Sequence, residues 1–522
     1  MLGFLTYSGF KSGSSFGDFL LDQVSSKGRG SNSGNWGHRQ SRIAMFVQDD
    51  YKLANNFTLN IGMRWEYNTP VYEVADRQVN VDVFTGKVRV AGKDGNSRAL
   101  FNPYYKQFMP RVGFAWSPSA LKRTVVRGGY GISSYLEGTG ANLRLPLNPP
   151  FFFESNVDYG VGSPGSIREG FGGLVGSTQL QGLVRAWNPD LRPAFIQQFN
   201  FTLERQLTNS MSVSAGYVGQ KGTHLVVPRD PNQPLNACPN PQLCRPLYNV
   251  LPLVTNIAYT DSSANMNYNG LQVSARQRSN SGFEYQLSYT LSKSMTDNLG
   301  YYGSGGVAAQ SAYWQNAYDR KADYGPSFFD ATHNMSFSGS YELPFGMKRK
   351  FGSSWNRATD IVLGGWQVGY ILGFHTGFPM TLTSPNRSNR AARTARANRY
   401  QPLKITGQSI DNWFGTDASA KPCAADVNNG TCAYGVQFLN QFGSTGVGTE
   451  RAPKYANLDM NVGKNFNITE RQYIQFRAEF FNLPNMTSFG PPNRDTSAAQ
   501  FGFINGQINT PRVIQFALKY MF

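Results

Sequence analysis

Apolar side chains fall on every second position along much of this chain. Between Val513 and Phe522, one face carries Ile514, Phe516, Leu518, Tyr520 and Phe522 without a break. The opposite face mixes Gln515, Ala517 and Lys519 with Val513 and Met521. A stripe of period two fits a strand with an apolar medium on one side and water or packed protein on the other. Phe57, Leu59, Ile61, Met63, Trp65 and Tyr67 repeat it against Asn60, Arg64 and Glu66. So do Phe283, Tyr285, Leu287, Tyr289 and Leu291, then Met335, Phe337, Tyr341 and Leu343, then Trp366, Val368, Tyr370, Leu372 and Phe374. The alternation predicts fourteen strands, near residues 3–9, 43–51, 57–68, 109–117, 124–135, 195–206, 211–219, 268–279, 283–292, 333–344, 365–383, 455–466, 472–482 and 512–522.

The connections between these strands have a rhythm. Short links (52–56, 118–123, 207–210, 280–282, 467–471) alternate with long ones (10–42, 69–108, 136–194, 220–267, 293–332, 384–454, 483–511). Only 345–364 departs, being longish where a short link belongs. Short turns at one rim and long loops at the other are the habit of outer-membrane barrels, whose strands turn alternate residues to lipid. The expected fold is therefore all-β: a transmembrane antiparallel β-barrel with short periplasmic turns and long extracellular loops. The final strand closing on Tyr520-Met521-Phe522 suits a strand whose end sits in an aromatic girdle. Val79 to Val90, with Thr85-Gly86-Lys87 at its centre, reads as a hairpin beyond the membrane, and Ser384 to Lys454 is long enough to fold on itself.

Composition leaves this reading standing. Aromatic residues make up 14 % of the 522 residues, glycine occurs 55 times, and only 16 % are charged, a balance that favours twisted strands and turns. A mean hydropathy of -0.40 argues against a bundle of membrane helices, which needs apolar runs of about 18 residues or more. The strongest such run, Ile361 to Phe374, is too short and carries Gln367 and four glycines. Met1-Leu2-Gly3-Phe4 shows no basic segment leading to an apolar one and a cleavage site. The expectation is thus a C-terminal portion of a longer protein, with the signal peptide and first strands outside it. The four cysteines form two local pairs, Cys238 with Cys244 and Cys423 with Cys432, in Pro/Asn/Gly-rich stretches. Neither pair has CxxC spacing or a nearby histidine, so disulfides in an oxidising compartment are favoured over zinc. Both pairs fall in loops on the external side.

Several runs resemble a known family. Phe46-Val47-Gln48-Asp49-Asp50-Tyr51, with Leu59-Asn60-Ile61-Gly62-Met63-Arg64-Trp65-Glu66-Tyr67, resembles the barrel of TonB-dependent receptors. Pro110-Arg111-Val112-Gly113-Phe114-Ala115-Trp116, Tyr268-Asn269-Gly270-Leu271-Gln272 and Tyr289-Thr290-Leu291-Ser292-Lys293-Ser294 are similar to the Oar-like group. Glu342-Leu343-Pro344-Phe345-Gly346, Gly364-Gly365-Trp366-Gln367 and Phe480-Phe481-Asn482-Leu483-Pro484-Asn485 continue the likeness. Members of that group carry a carboxypeptidase-regulatory-like domain ahead of the plug. The resemblance implies a barrel of 22 strands, of which about fourteen are visible in residues 1–522, with a plug, a TonB box and the regulatory-like domain upstream. It also implies binding of an extracellular ligand, its passage across the outer membrane driven by the TonB energy-coupling complex, and recognition of the terminal Phe522 by the barrel assembly machinery. Two rival readings remain: a passive porin-like channel, and a surface adhesion or matrix-binding barrel whose function lies in its loops.

The net charge of +17 is densest at Arg387, Arg390, Arg393, Arg396 and Arg399. Arginines at that spacing suit an acidic ligand or the phosphates of lipopolysaccharide, although charge runs more often serve solvation. Nucleic acid would fit the charge but not the barrel rhythm, and no nucleic-acid module is recognisable. Asp330 and His333 suggest acid–base or metal chemistry, but residues three apart on a strand face opposite ways, and hydrogen-bonded capping at the start of a strand explains them better. With four histidines and no HExxH or GxSxG, the chain reads as no enzyme, with no cofactor and no metal. Trp65, Tyr67, Trp366, Tyr520 and Phe522 read as girdle residues at the lipid interface rather than stacking platforms for sugar or peptide.

Overall fold

Thirteen strands form one antiparallel path, each hydrogen-bonded to the one before it in the chain. In the computed structural model residues 2–522 are described, apart from 137–143, 172–178, 279–281, 299, 301–311 and 348. The strands are β1 (Arg42–Ala54), β2 (Phe57–Asn68), β3 (Gln107–Trp116), β4 (Thr124–Tyr135), β5 (Ala194–Gln206), β6 (Met211–Arg229), β7 (Val254–Gln277), β8 (Phe283–Thr296), β9 (His333–Glu342), β10 (Trp366–His375), β11 (Tyr455–Asn467), β12 (Tyr473–Phe481) and β13 (Val513–Met521). Among the described residues β1 and β13 each pair on one side only, so the sheet is open at both edges. Among the described residues no helix is long and apolar enough to cross a membrane.

One expected strand lies elsewhere. Leu2–Thr6 pairs with Ser26–Asn32, which pairs in turn with Phe152–Asp158, in a separate three-stranded sheet. Its five residues are too few to cross a bilayer, for which a strand needs about nine to eleven. Two strands are longer than their alternation suggested: β6 runs on to Arg229, and β7 begins at Val254 rather than near 268. These extensions pair with each other past the long-link rim, where neither face meets lipid and an alternating pattern is not required. The strand expected over 365–383 stops at His375, and Pro379–Met380 pairs with Glu450–Arg451 instead. Ser279, expected to end a strand, and the start of the following short link lie outside the described residues.

Register aligns the alternating side chains of neighbouring strands into two faces. On one, Ile61 stands beside Val112, Leu271 beside Leu291, Phe337 beside Leu372, and Phe480 beside Ile514. These residues point away from the protein: Ile61 is 53 % exposed and Phe516 69 %. The other face is bridged by polar pairs. Asn60 donates to Asp50 at 2.6 Å, Arg111 to Gln48 at 2.6 Å, Arg127 to Glu204 at 2.7 Å and Ser340 to Glu284 at 2.9 Å. The rule has exceptions: Asp49 of the edge strand β1 lies on the apolar face and Phe46 on the polar one, Ile371 of β10 faces the polar side beside Asp459, and Lys464 of β11 lies in the apolar row beside Trp366. From Phe57 to Tyr67 the strand rises about 34 Å, or about 25 Å along the membrane normal at a tilt of about 40°, the height of a barrel's apolar band.

The four buried apolar clusters contain no residue from the membrane-height part of this wall. Val71, Leu100, Phe101, Trp187 and Leu191 anchor one, and Val81, Val184, Leu247, Ile257 and Tyr259 a second. Met380, Leu382, Ala397, Phe414 and Tyr434 make a third, and Val227, Ala264, Trp314 and Val447 a fourth. All belong to long links or to the extensions of β6 and β7. The hairpin expected at Val79 to Val90 is present, Val79–Val81 pairing with Val88–Val90 around Gly86 at φ +74, and it supplies Val81 to the second cluster.

Ile61→Arg should therefore reduce the assembled protein recovered from membranes far more than Asn60→Arg. An arginine at mid-height on a lipid face costs about 2–4 kcal/mol, whereas a lumenal position tolerates it. Equal recovery of the two variants would mean the faces are assigned wrongly.

Candidate functional site

The long links interlock into a canopy over one rim of the sheet. Gln233 and Gln315 join the links 230–253 and 297–332: Gln233 Nε2 donates to the Gln315 carbonyl at 3.0 Å, and the Ala317 amide donates to Gln233 Oε1 at 2.8 Å. Tyr318 Oη reinforces this by donating to the carbonyls of Pro231 and Gln233. Gln315 Nε2 then reaches the Gly443 carbonyl at 2.9 Å, in the link 376–454. That link is tied to 482–512 by paired amides, Thr383 to the Arg494 carbonyl and Thr496 to the Thr383 carbonyl, and by Phe414 stacked on Phe501 at 4.6 Å. The link expected to fold on itself does so, and it also serves as the hub of its neighbours.

Buried charges pin the same links. Arg396 forms an ion pair with Asp323, both almost fully buried, and donates through Nη2 to the Ala322 carbonyl at 3.1 Å. Arg451 reaches Asp330 at 2.6 Å, Arg320 reaches Asp297 at 3.1 Å, and Arg229 reaches Asp261 at 3.1 Å. Burial pushes the Asp323 carboxyl up to about 6, against the pull of Arg396. Burial likewise raises Asp297 and Asp230. Glu73 goes the other way. Burial opposes its charge, but the Arg77 side chain and the amides of Arg77, Gly37 and Ala75 outweigh that and hold it down at about 2.

The five arginines of the run have separate fates. Arg396 is spent inside the canopy and is withdrawn from the expected set of ligand contacts, because its guanidinium is enclosed with Asp323. Arg393 lies over the Tyr313 ring at 3.8 Å and Arg390 over the Phe442 ring at 4.8 Å. Arg387 bridges Asp426 at 2.6 Å and the Gln437 carbonyl at 3.0 Å. Arg399 alone is exposed. The acids that fix this arrangement, Asp323 and Asp426, carry no local sign of it, since each lies tens of residues from its arginine.

The remaining candidates divide by height. Trp65 and Tyr67 stand at the long-link rim, Trp65 Nε1 donating to the Tyr105 carbonyl at 2.8 Å and Tyr67 stacking on Tyr105 at 4.6 Å. Trp366, Tyr520 and Phe522 stand at the short-link rim, Trp366 edge-on to Phe476 at 6.1 Å. Cys238 is bonded to Cys244, and Cys423 to Cys432. Both disulfides lie in the canopy, and the Cys238 amide donates to the Asn389 carbonyl of the arginine-rich link. Asp330 and His333 part company: Asp330 accepts from the Ser294 amide and pairs with Arg451, while His333 Nδ1 meets Tyr289 Oη at 2.7 Å. Among the described residues no three His, Cys, Asp or Glu side chains gather as a metal would need.

Residues 2–515 match the family described as outer membrane beta barrel domain. Among solved structures, the outer membrane transporter YddB from Escherichia coli is similar at a TM-score of 0.50 and 9 % identity. That alignment covers 95 % of this chain and 50 % of the transporter, so the chain spans about half its length. At such identity the likeness is one of fold. FpvA of P. aeruginosa, bound to heterologous pyoverdines, aligns at a TM-score of 0.44 and 11 % identity over 94 % of this chain and 39 % of its own. The FrpB iron transporter from Neisseria meningitidis aligns at 0.43 and 9 %, over 94 % and 47 %. No curated protein sequence matches the chain significantly.

Arg396→Met alone should loosen the canopy, because the stranded Asp323 charge costs about 3–5 kcal/mol where an apolar pair of similar volume is close to neutral. Limited proteolysis of the link 376–454 should thus accelerate in Arg396→Met and recover in Arg396→Met with Asp323→Leu. The turn around Glu73 should respond to acid with a definite sign. Its folded pKa lies below the ordinary 4.5, so the stability it contributes is present above 4.5 and lost as pH falls towards about 2. Hydrogen exchange at Gly37, Ala75 and Arg77 should show that loss, and Glu73→Gln should abolish the pH dependence.

Proposed function

We propose that this chain, which belongs to the outer membrane beta barrel domain family, forms the barrel wall and ligand-facing canopy of a TonB-dependent transporter of the Oar-like group. The protein resides in the bacterial outer membrane, as its family does. The observation that carries the transport reading is the inside-out distribution of apolar residues. The wall turns its apolar face outwards and its polar pairs inwards, and the true cores sit in a canopy over the long-link rim. A folded canopy above a polar lumen is suited to capture a ligand outside and hand it inwards. The two unpaired edges at β1 and β13 support the further reading that residues 1–522 are the C-terminal portion of a larger barrel. Lipid cannot satisfy a bare ladder of N–H and C=O groups, so further strands are needed to close it. A plug and a TonB box upstream would follow.

In this reading Arg399 and the outward edges of Arg387 and Arg390 are the basic groups available to an acidic ligand or to lipopolysaccharide, and Phe522 serves assembly. Two measurements on the natural full-length protein test the function. It should stay silent in planar lipid bilayers, its lumen filled, and bind the isolated periplasmic domain of TonB. Steady conductance with no TonB binding would replace the transporter by a passive channel. Silence without TonB binding would favour a surface-adhesion barrel.

The topology has its own test in the cysteines. On intact cells a membrane-impermeant maleimide should label Cys238, Cys244, Cys423 and Cys432 only after reduction. Labelling that requires access from the periplasm would invert the topology and remove the transporter reading with it.

A further inference from the structure

Resting on the outer-membrane reading, we infer that the link between β9 and β10, residues 343–365, is a foot that inserts into the inner leaflet of the outer membrane and contacts its anionic phospholipids. This is the one long connection at the short-link rim. It contains a helix, α1 (Arg357–Leu363), capped by Asn356 Oδ1 accepting from the Thr359 amide at 2.8 Å. Asp360 Oδ1 accepts the Met347 amide at 2.6 Å, and the Gly346 amide donates to the Phe351 carbonyl at 2.9 Å. The helix and the turn before it are therefore one folded unit.

Register shows where that unit sits. Lys464 of β11 stands between Trp366 and Phe476, in the outward apolar row that continues to Leu518. A cation facing lipid is costly unless it is fully paired. Lys464 is 6 % exposed, and its Nζ donates to the carbonyls of Asp360 at 3.1 Å, Ile361 at 2.5 Å, and Gly364. Trp366 Nε1, in the same outward row, donates to the Val362 carbonyl at 2.9 Å. The Asp360 carbonyl already accepts the Gly364 amide at 2.9 Å, and the carbonyls of Ile361, Val362 and Gly364, which a helix end leaves without partners, are satisfied from the barrel's outer wall. The helix lies against the lipid-facing side, not beneath the lumen.

Six large apolar residues stand exposed on it, Phe345, Met347, Phe351, Ile361, Val362 and Leu363, with Arg349, Ser353, Ser354 and Asn356 exposed between them. Basic groups flank them: Lys350 extends over the Phe351 ring at 5.5 Å, and Arg357 opens the helix at the surface. Apolar residues beside lysine and arginine, with a tryptophan at the boundary, suit an interfacial helix on an anionic surface. The terminal Tyr520 and Phe522 lie at the same rim, so foot and girdle would meet one leaflet together.

A nitroxide label tests this in the natural full-length protein, reconstituted in vesicles of phosphatidylethanolamine with phosphatidylglycerol. The four cysteines of residues 1–522 are bonded, and with any cysteine outside these residues replaced by serine an introduced cysteine is unique. At Val362→Cys the ratio of oxygen to nickel-complex collisions should exceed that at Thr416→Cys in the canopy several-fold, and Ile61→Cys should mark lipid in the wall. Lys464→Met should strand the helix carbonyls and return the 362 label to water while leaving the Ile61 label in lipid. Exchanging phosphatidylglycerol for phosphatidylcholine should raise nickel access at 362. If the label at 362 meets water while that at 61 meets lipid, the foot is refuted and the membrane reading survives. If both meet water, the membrane reading itself falls. Indifference to phosphatidylglycerol would refute the role of anionic headgroups.

Discussion

Everything in this structure depends on a hydrogen-bond constraint: backbone groups that enter hydrocarbon must find partners within the protein. A continuous antiparallel ladder meets that demand along the wall, and its pleat then sends alternate side chains to opposite media. The ordinary arrangement of a domain, apolar residues packed between two layers, is thereby unavailable to the wall. Ile61, Leu271 and Phe516 point outwards and remain exposed. Tight packing reappears only beyond the rim, where water returns and links such as 376–454 must bury apolar surface to hold a shape.

The canopy is held as much by charge as by apolar contact. Arg396, Arg451 and Arg229 each meet an aspartate on another segment, and Arg320 meets Asp297 across its own link. Buried pairs of this kind contribute little net stability compared with apolar substitutes, yet leaving one partner alone is severe. They therefore act on register more than on strength. Arg396 can lie in one place only, against Asp323, and that fixes how two long links cross. Of the five arginines that looked available for recognition, Arg396 and Arg387 pair with aspartates and Arg390 and Arg393 lie over aromatic rings, leaving Arg399 open to solvent.

Lys464 applies the same logic outside the barrel. A lysine in the lipid-facing row is tolerable because three carbonyls at the end of a short helix enclose its ammonium, and those of Ile361 and Gly364 are tolerable near lipid because the lysine satisfies them. The irregular length of the link 343–365 is the sequence-level trace of that exchange.

How much of this could be read beforehand follows from where the period-two rule applies. Within the apolar band the medium dictates every second residue, so Phe57–Asn68, Phe283–Thr296 and Val513–Met521 announced themselves, together with the parity of their links. Beyond the rim no medium imposes a period. The extensions of β6 and β7 were invisible there, and the segment at Leu2–Thr6 imitated a wall strand although its partners are Ser26–Asn32 and Phe152–Asp158. The five arginines stood out as a cluster, but what each does depends on residues far along the chain: Asp323, Tyr313, Phe442 and Asp426. The sequence by itself determined the wall, because lipid and the backbone's need for partners act locally, strand by strand. Only the tertiary structure decided the canopy and the foot, because ion pairs and helix carbonyls are satisfied by groups that folding alone brings together.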